Sequence, residues 1–384
     1  MTPTQSRFVN STYSQEEEDC RQAIRAFLDA ELDPHHDKFI NDLEFDRQFW
    51  RKAGKAGLLG AVIPEEYGGP GLNDIISVIL SQELGRTIGA ATVGSSLEAD
   101  LATHILMSAG SEEHRRRFAP GILEGEILQC VAMTEPDAGS DVTAIRTTAV
   151  LDGDEYIVNG TKVFISNANK ADIIYLAVKT DPSKRGAGMS LLLVESNTPG
   201  ITVSPIKTMG CPAYDLGELH FDNVRVPAQN LLLGEGRAME ILMATLMLDR
   251  LQVSARALGE AELALRLTLD HVKTRKAFGS PIADFQGTQF ALAEMKTEIE
   301  VGRTFLHDGV TKLREGRLTH PDAAMIKLWV PQMTTRVIDK AFQLFGGYAF
   351  MDEMPISRLY TASRLHRLYV GTDEMQKITI ARAM

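Results

Sequence analysis

The chain of 384 residues carries 40 Lys and Arg against 51 Asp and Glu, a net charge of −11 at pH 7, and is 44% hydrophobic. This balance argues against the clustered positive surface that nucleic-acid binding needs, while the length allows two or three domains with a sizeable core. Three cysteines, Cys20, Cys130 and Cys211, are too few for a disulfide framework and lack metal-ligand spacing, and no apolar run is long enough for a bilayer span or a signal core, so a cytoplasmic protein without a membrane segment is expected.

From Gln15 to about Gly125 apolar residues return every three or four positions, which predicts helices over 21–32, 45–56 and 75–84. Between them the run Ile63-Pro64-Glu65-Glu66-Tyr67-Gly68-Gly69-Pro70-Gly71 predicts a loop, since proline and glycine at that density break a helix. Two more helices are expected over 101–110 and 111–118, the second capped by Ser111 with Glu112 and Glu113 in its first turn. Glu98 and Asp100 precede the first of these, either as carboxylates complementing a helix start or as polar contacts to a ligand.

From Ile127 to Asn230 the period changes to two, predicting strands at 149–151, 156–158, 173–179, 189–194, 201–205 and 218–221 and an antiparallel β domain. The pattern is helical again from Glu235, with no proline before Lys276, as suits a bundle helix, and continues over 285–315, 321–345 and 356–368. The expected class is α+β: a helical domain over 1–126, a β domain over 127–234 and a four-helix bundle over 235–384. His220, His271 and His366 form no ligand cluster, so no metal is expected.

The most informative stretch runs from Gln129 to Ala168. A β-rich run breaks at Glu135-Pro136-Asp137-Ala138-Gly139-Ser140-Asp141 and resumes as strands separated by Asp152-Gly153-Asp154, where Asp-Gly favours a tight hairpin. Its small-residue loop, with the hydroxyls of Thr134 and Ser140, suits a flat polar heterocycle, or is simply a decorated hairpin. The loop from Met133 to Asp141 and the strand Gly160 to Asn167 resemble the acyl-CoA dehydrogenase family, whose pattern is aliphatic-Thr-Glu-Pro-x-Ala-Gly-Ser-Asp followed by Gly-x-Lys-x-(Trp/Phe)-Ile-(Thr/Ser)-Asn. The likeness continues across nearly the whole chain, including residues 63–71 and 217–227, though Cys211-Pro212-Ala213-Tyr214-Asp215 departs from the family's usual approach to the latter.

The resemblance implies FAD. Met133, Thr134, Ser140, Phe164 and Ser166 match the positions that face the flavin ring, with Phe164 where many members carry Trp. Arg275, Phe278 and Gln286 match the motif for the adenine-diphosphate end in a neighbouring subunit, and Gln343, Gly346, Gly347, Thr372 and Glu374 match the same cofactor region. Taken singly these could be caps or surface residues; an Arg fork does suit a pyrophosphate.

Dehydrogenating a thioester needs a base for the α proton, and in much of the family that base is the Glu of Tyr-Glu-Gly-Thr. Here the motif reads Tyr369-Val370-Gly371-Thr372. A few members place the base on the first long bundle helix before an Arg, a position held here by Asp249, next to Arg250. Asp249 shares its helix face with Leu242, Thr245, Leu246 and Val253, so it is either the base or part of a buried ion pair. By the same resemblance Ser140, Arg250, Val370 and Gly371 would touch substrate, which is expected to be an acyl-CoA with a branched or bulky acyl group. Electrons would pass to an electron-transfer flavoprotein, and a homotetramer, a dimer of dimers, is implied. Two rival readings keep the fold: a relative with oxidase or redox-neutral thioester chemistry, and a non-catalytic subunit of a heteromeric enzyme.

Overall fold

The computed structural model describes residues 12–42, 46–93 and 100–384. The N-terminal third is helical: α1 (Gln15–Glu31), α2 (His36–Asp42), α3 (Arg47–Lys55), α4 (Ile75–Gly85), α5 (Ala90–Val93), α6 (Asp100–Ala109) and α7 (Glu112–Leu123). Their starts follow local chemistry. Ser14 and Glu17 close a reciprocal capping box on α1, and the Ser111 hydroxyl accepts from the His114 N–H on α7, as its position predicts. Glu98 lies outside the described residues, as does the side chain of Asp100, whose backbone opens α6.

Seven strands follow: β1 (Gln129–Ala132), β2 (Thr148–Asp152), β3 (Glu155–Ser166), β4 (Ile173–Lys179), β5 (Met189–Glu195), β6 (Ile201–Pro205) and β7 (Leu216–Pro227). β2 and β3 form the expected hairpin, Asp152 facing Glu155, with Gly153 at φ 68° in the turn between them. The expectation of a purely antiparallel domain is corrected. β1 runs parallel to β4, with Gln129 beside Ile173, because the β2–β3 hairpin lies between them in sequence and turns the chain round before β4 begins.

The last part comprises α8 (Ala238–Thr274), a two-residue hairpin of β8 (Lys276–Ala277) and β9 (Ser280–Pro281), then α9 (Gln286–Arg314), α10 (His320–Phe345), α11 (Pro355–Ala362) and α12 (Asp373–Ala381). One apolar core joins α1 and α4 to α8, α9 and α10, and a second joins α6 and α7 to one face of the sheet and the start of α8. α4 and α8 cross where both helices carry glycine: a Cβ on Gly85 would stand 2.2 Å from the Arg256 carbonyl, and one on Gly259 would stand 2.3 Å from that of Gln82. That close crossing holds the middle of α8 against α4.

Candidate active site

Below the end of β1, a buried ion pair shapes the loop. The Glu135 carboxylate accepts from the Arg146 N–H at 2.6 Å, the Thr147 N–H at 2.9 Å, the Thr147 hydroxyl at 2.6 Å and Lys162 Nζ at 2.8 Å. Lys162 also donates to the Met133 carbonyl at 3.0 Å, so one ammonium from β3 pins the backbone that carries Met133 and Thr134. Burial pushes Lys162 down to about 8, an effect Glu135 only partly offsets. Burial works to raise the Glu135 carboxyl, yet Lys162 and the hydrogen bonds from Thr147 and Arg146 together hold it below the usual carboxylate range.

β3 then bulges between Lys162 and Ile165. Phe164 sits in the bulge at φ 60°, a left-handed conformation unusual for an aromatic residue, and its ring is left 61% exposed. Two residues on, the Ser166 hydroxyl meets the Tyr214 hydroxyl at 2.5 Å. Tyr214 belongs to the stretch that departs from the family pattern, so the altered segment makes its own contact here.

The opposite side is helical. Asp249 and Gln252 lie on the inner face of α8, 7% and 5% exposed. The 369–372 turn completes the site: Val370 adopts φ 54°, its carbonyl accepting from Gln376 Nε2 at 3.1 Å, while the Gly371 carbonyl accepts from Gln376 Nε2 at 2.8 Å and from buried Lys327 at 2.5 Å. Burial pushes Lys327 down to about 8, against the partly opposing charge of Asp373. The Tyr369 hydroxyl lies 3.3 Å from His366 Nδ1, and His366 Nε2 approaches buried Glu260 to 2.9 Å. His366 is therefore a buried residue packed beside Glu260 and Tyr369, and no cluster of three or more His, Cys, Asp or Glu that could hold a metal ion occurs among the described residues.

These elements form a cleft of about 170 Å³ whose lining brings together Met133, Thr134, Phe164 and Ser166 with Asp249 and Val370. Gln129, Cys130, Gln252, Val253 and Tyr369 join them. A second, more open cleft gathers Arg275, Gly346 and Gly347 beside His271 and Tyr348. The Arg275 guanidinium stands 5.5 Å from the Tyr348 ring centre, and Gly346, at φ 60° and ψ −138°, has a conformation reserved for glycine.

The other predicted site residues are not among those lining either cleft. Ser140 is exposed on its loop, and Arg250 is 4% exposed, donating from Nη1 to the His320 carbonyl at 3.3 Å. Gly371 turns its carbonyl to Lys327. Phe278 is fully exposed, Gln286 is the first residue of α9, Gln343 lies exposed in the last turn of α10, and Thr372 caps α12, in whose first turn Glu374 is exposed.

Sequence reasoning passed over Lys162, Lys327, Tyr214 and Gln252. A lysine beside apolar neighbours, Val163 next to Lys162 and Ile326 and Leu328 around Lys327, was the available signal for the first two; for Gln252 it was a polar residue one turn after Asp249.

Comparison with known proteins agrees with this layout. The chain matches the acyl-CoA dehydrogenase N-terminal domain over residues 14–126, the middle domain over 130–224 and the C-terminal domain over 236–384. It is 36% identical to an acyl-CoA dehydrogenase of Bacillus subtilis, covering 96% of this chain and 98% of that protein. It is 37% identical to the mitochondrial long-chain specific acyl-CoA dehydrogenase of Sus scrofa, over 97% of this chain and 87% of that one. The crystal structure of an acyl-CoA dehydrogenase from Geobacillus kaustophilus superposes with a TM-score of 0.93 at 40% identity, covering 99% of both chains. With all three domain types in order along one chain, this protein belongs to the acyl-CoA dehydrogenase family of flavoprotein oxidoreductases.

Proposed function

We propose that this acyl-CoA dehydrogenase uses FAD to introduce a 2,3 double bond into a branched or bulky acyl-CoA, with Asp249 as base and an electron-transfer flavoprotein receiving the electrons. The observation that carries this reading is the placement of Asp249, 7% exposed, in one cleft with Thr134, Phe164 and Ser166, while the nearby turn offers Val370 in place of a carboxylate.

The residues present fit the cofactor. An aromatic ring left 61% exposed by a left-handed bulge, beside two hydroxyls, suits the face and edge of a flat heterocycle, and Met133 and Thr134 are held there by Lys162. Arg275, Gly346 and Gly347 suit a diphosphate, and Phe278, Gln286, Gln343, Thr372 and Glu374 are the remaining cofactor residues proposed from the family motifs. None of these lines the Asp249 cleft, which supports completion of the cofactor site by a neighbouring subunit in a homotetramer. Bound FAD would supply the two-electron acceptor for the β hydride.

The chain's own part is proton transfer and shape. The Asp249 carboxylate takes the α proton; the electrons of that C–H bond form the double bond as the β hydrogen departs with its pair. A dry setting raises carboxylate basicity, and the buried inner face of α8 provides one. Ser140, Arg250, Val370 and Gly371 are the proposed further contacts to the thioester. Leu101, Ala102, Val253 and Val370 give the cleft an apolar wall without the usual carboxylate on the turn, which supports a branched or bulky acyl group.

The test is anaerobic: the flavin absorbance is recorded as straight, branched and cyclic acyl-CoAs are added. Branched thioesters are expected to bleach it most. Asp249→Asn should keep its flavin and lose about 100-fold or more in bleaching rate, since an amide accepts no proton. Near-normal rates in that variant would assign Asp249 a structural role.

A further inference from the structure

The cleft has two walls of different origin, one built by β1 and β3 and the loops that follow them, the other by Leu101 and Ala102 of α6 with Asp249, Gln252 and Val253 of α8. Two buried amides reach into it, and they differ. Gln129 is satisfied at both ends: Nε2 donates to the Thr103 hydroxyl at 3.0 Å and Oε1 accepts from the Tyr175 hydroxyl at 2.9 Å. Gln252 is 5% exposed, and its Nε2 has no hydrogen-bond partner among the described residues.

A donor taken out of water and left unpaired opposes folding, and a methionine or leucine of similar length would fill the same space without that cost. Leu251 and Val253, its sequence neighbours, are apolar and buried. Gln252 also stands three residues from Asp249, on the same side of α8, so its amide lies one turn from the proposed base.

We infer that Gln252 is a specificity-determining residue whose amide donates a hydrogen bond to an oxygen carried by the acyl chain beyond its β carbon. The preferred thioesters are then oxygenated, bearing a keto, hydroxyl or carboxyl group where a simple branched chain bears a methyl. This deepens the dehydrogenase reading and rests on it. A site built to bond a substrate oxygen discriminates far more sharply than an apolar pocket does, because the analogue without oxygen leaves the protein's donor unpaired.

Matched pairs in which a keto oxygen replaces a methyl branch test it: 5-oxohexanoyl-CoA against 5-methylhexanoyl-CoA, and the corresponding 6-oxoheptanoyl and 7-oxooctanoyl pairs, each with the flavin-loaded enzyme. Wild type is expected to favour the oxo partner at least tenfold in kcat/KM in one or more pairs. Gln252→Met should lose that preference while keeping the wild-type flavin spectrum and a melting temperature equal to or above that of wild type. Three outcomes overturn the inference: no preference in any wild-type pair, a preference unchanged in Gln252→Met, or a shifted flavin spectrum in the variant before any thioester is added, which would assign the amide to the cofactor. If none of these thioesters bleaches the wild-type flavin, the dehydrogenase reading has failed instead. Calorimetric titration with the same pairs then decides the inference separately: tighter binding of the oxo partner in wild type alone supports it, and equal binding overturns it.

Discussion

Val370 is a β-branched residue at φ 54°, a conformation that costs such a side chain on the order of 1–3 kcal/mol. The turn is kept in place by Gln376 and Lys327, which hold its carbonyls from behind. Val370→Gly should therefore stabilise the protein by up to about 1 kcal/mol, the relief of strain exceeding the extra chain entropy of glycine. Chemical denaturation measures this, and a loss of stability would mean that the valine's packing outweighs its backbone strain. The sequence let the flanks of this turn be matched and the missing carboxylate noticed. It gave no sign of the dihedral, nor of Phe164 at φ 60°, because nothing in the residue types Val and Phe favours a left-handed backbone; the surrounding hydrogen bonds impose it.

At the level of elements, β3 does two jobs, presenting Phe164 and Ser166 to the cleft while Lys162 reaches back to Met133 and Glu135. Glu135→Gln removes the charge that neutralises a fully buried ammonium and should cost about 3–5 kcal/mol at pH 7, with reduced flavin content. The pH dependence has a definite sign. Glu135 is held below its ordinary value in the fold, so its contribution is present above pH 4.5 and fades as pH falls through the lower folded value. Denaturation midpoints of wild type and variant should thus converge below about pH 4.5; a constant gap would show that the charge is not what stabilises the loop. The bounds of β4 and β6 were readable from alternation and from apolar runs, because those signals are local. The parallel pairing of β1 with β4, and the contact between residues 135 and 162, depend on chain reversal by the hairpin between them and leave no periodic trace.

Across the whole molecule, one chain leaves apolar surface on the bundle that its own core does not cover. Phe278 is fully exposed, Phe350 81% and Phe290 58%, on the same domain as the Arg275 cleft. If that surface and cleft are completed by a neighbouring copy, Phe278→Ser should weaken FAD retention roughly tenfold, the loss expected from uncovering one large ring. Dialysis followed by flavin quantitation, with light scattering for the mass of the assembly, measures it. Full flavin content in an intact tetramer would separate Phe278 from the cofactor. The helical, β and helical succession was legible from hydrophobic period alone, whereas the second cleft could be located only through motif resemblance, since Arg275 and Gly346 follow the ends of α8 and α10, some seventy residues apart.

α8 runs 37 residues and is clamped near its middle by the glycine crossing with α4. On the reading proposed here, the proton acceptor rides on this stiff rod and the 369–372 turn no longer carries it. Reactivity then stays with the rod, and the turn is left to shape one wall of the cleft. A lineage could exchange residue 370 freely, trying new cleft shapes one substitution at a time, with the catalytic group never at stake.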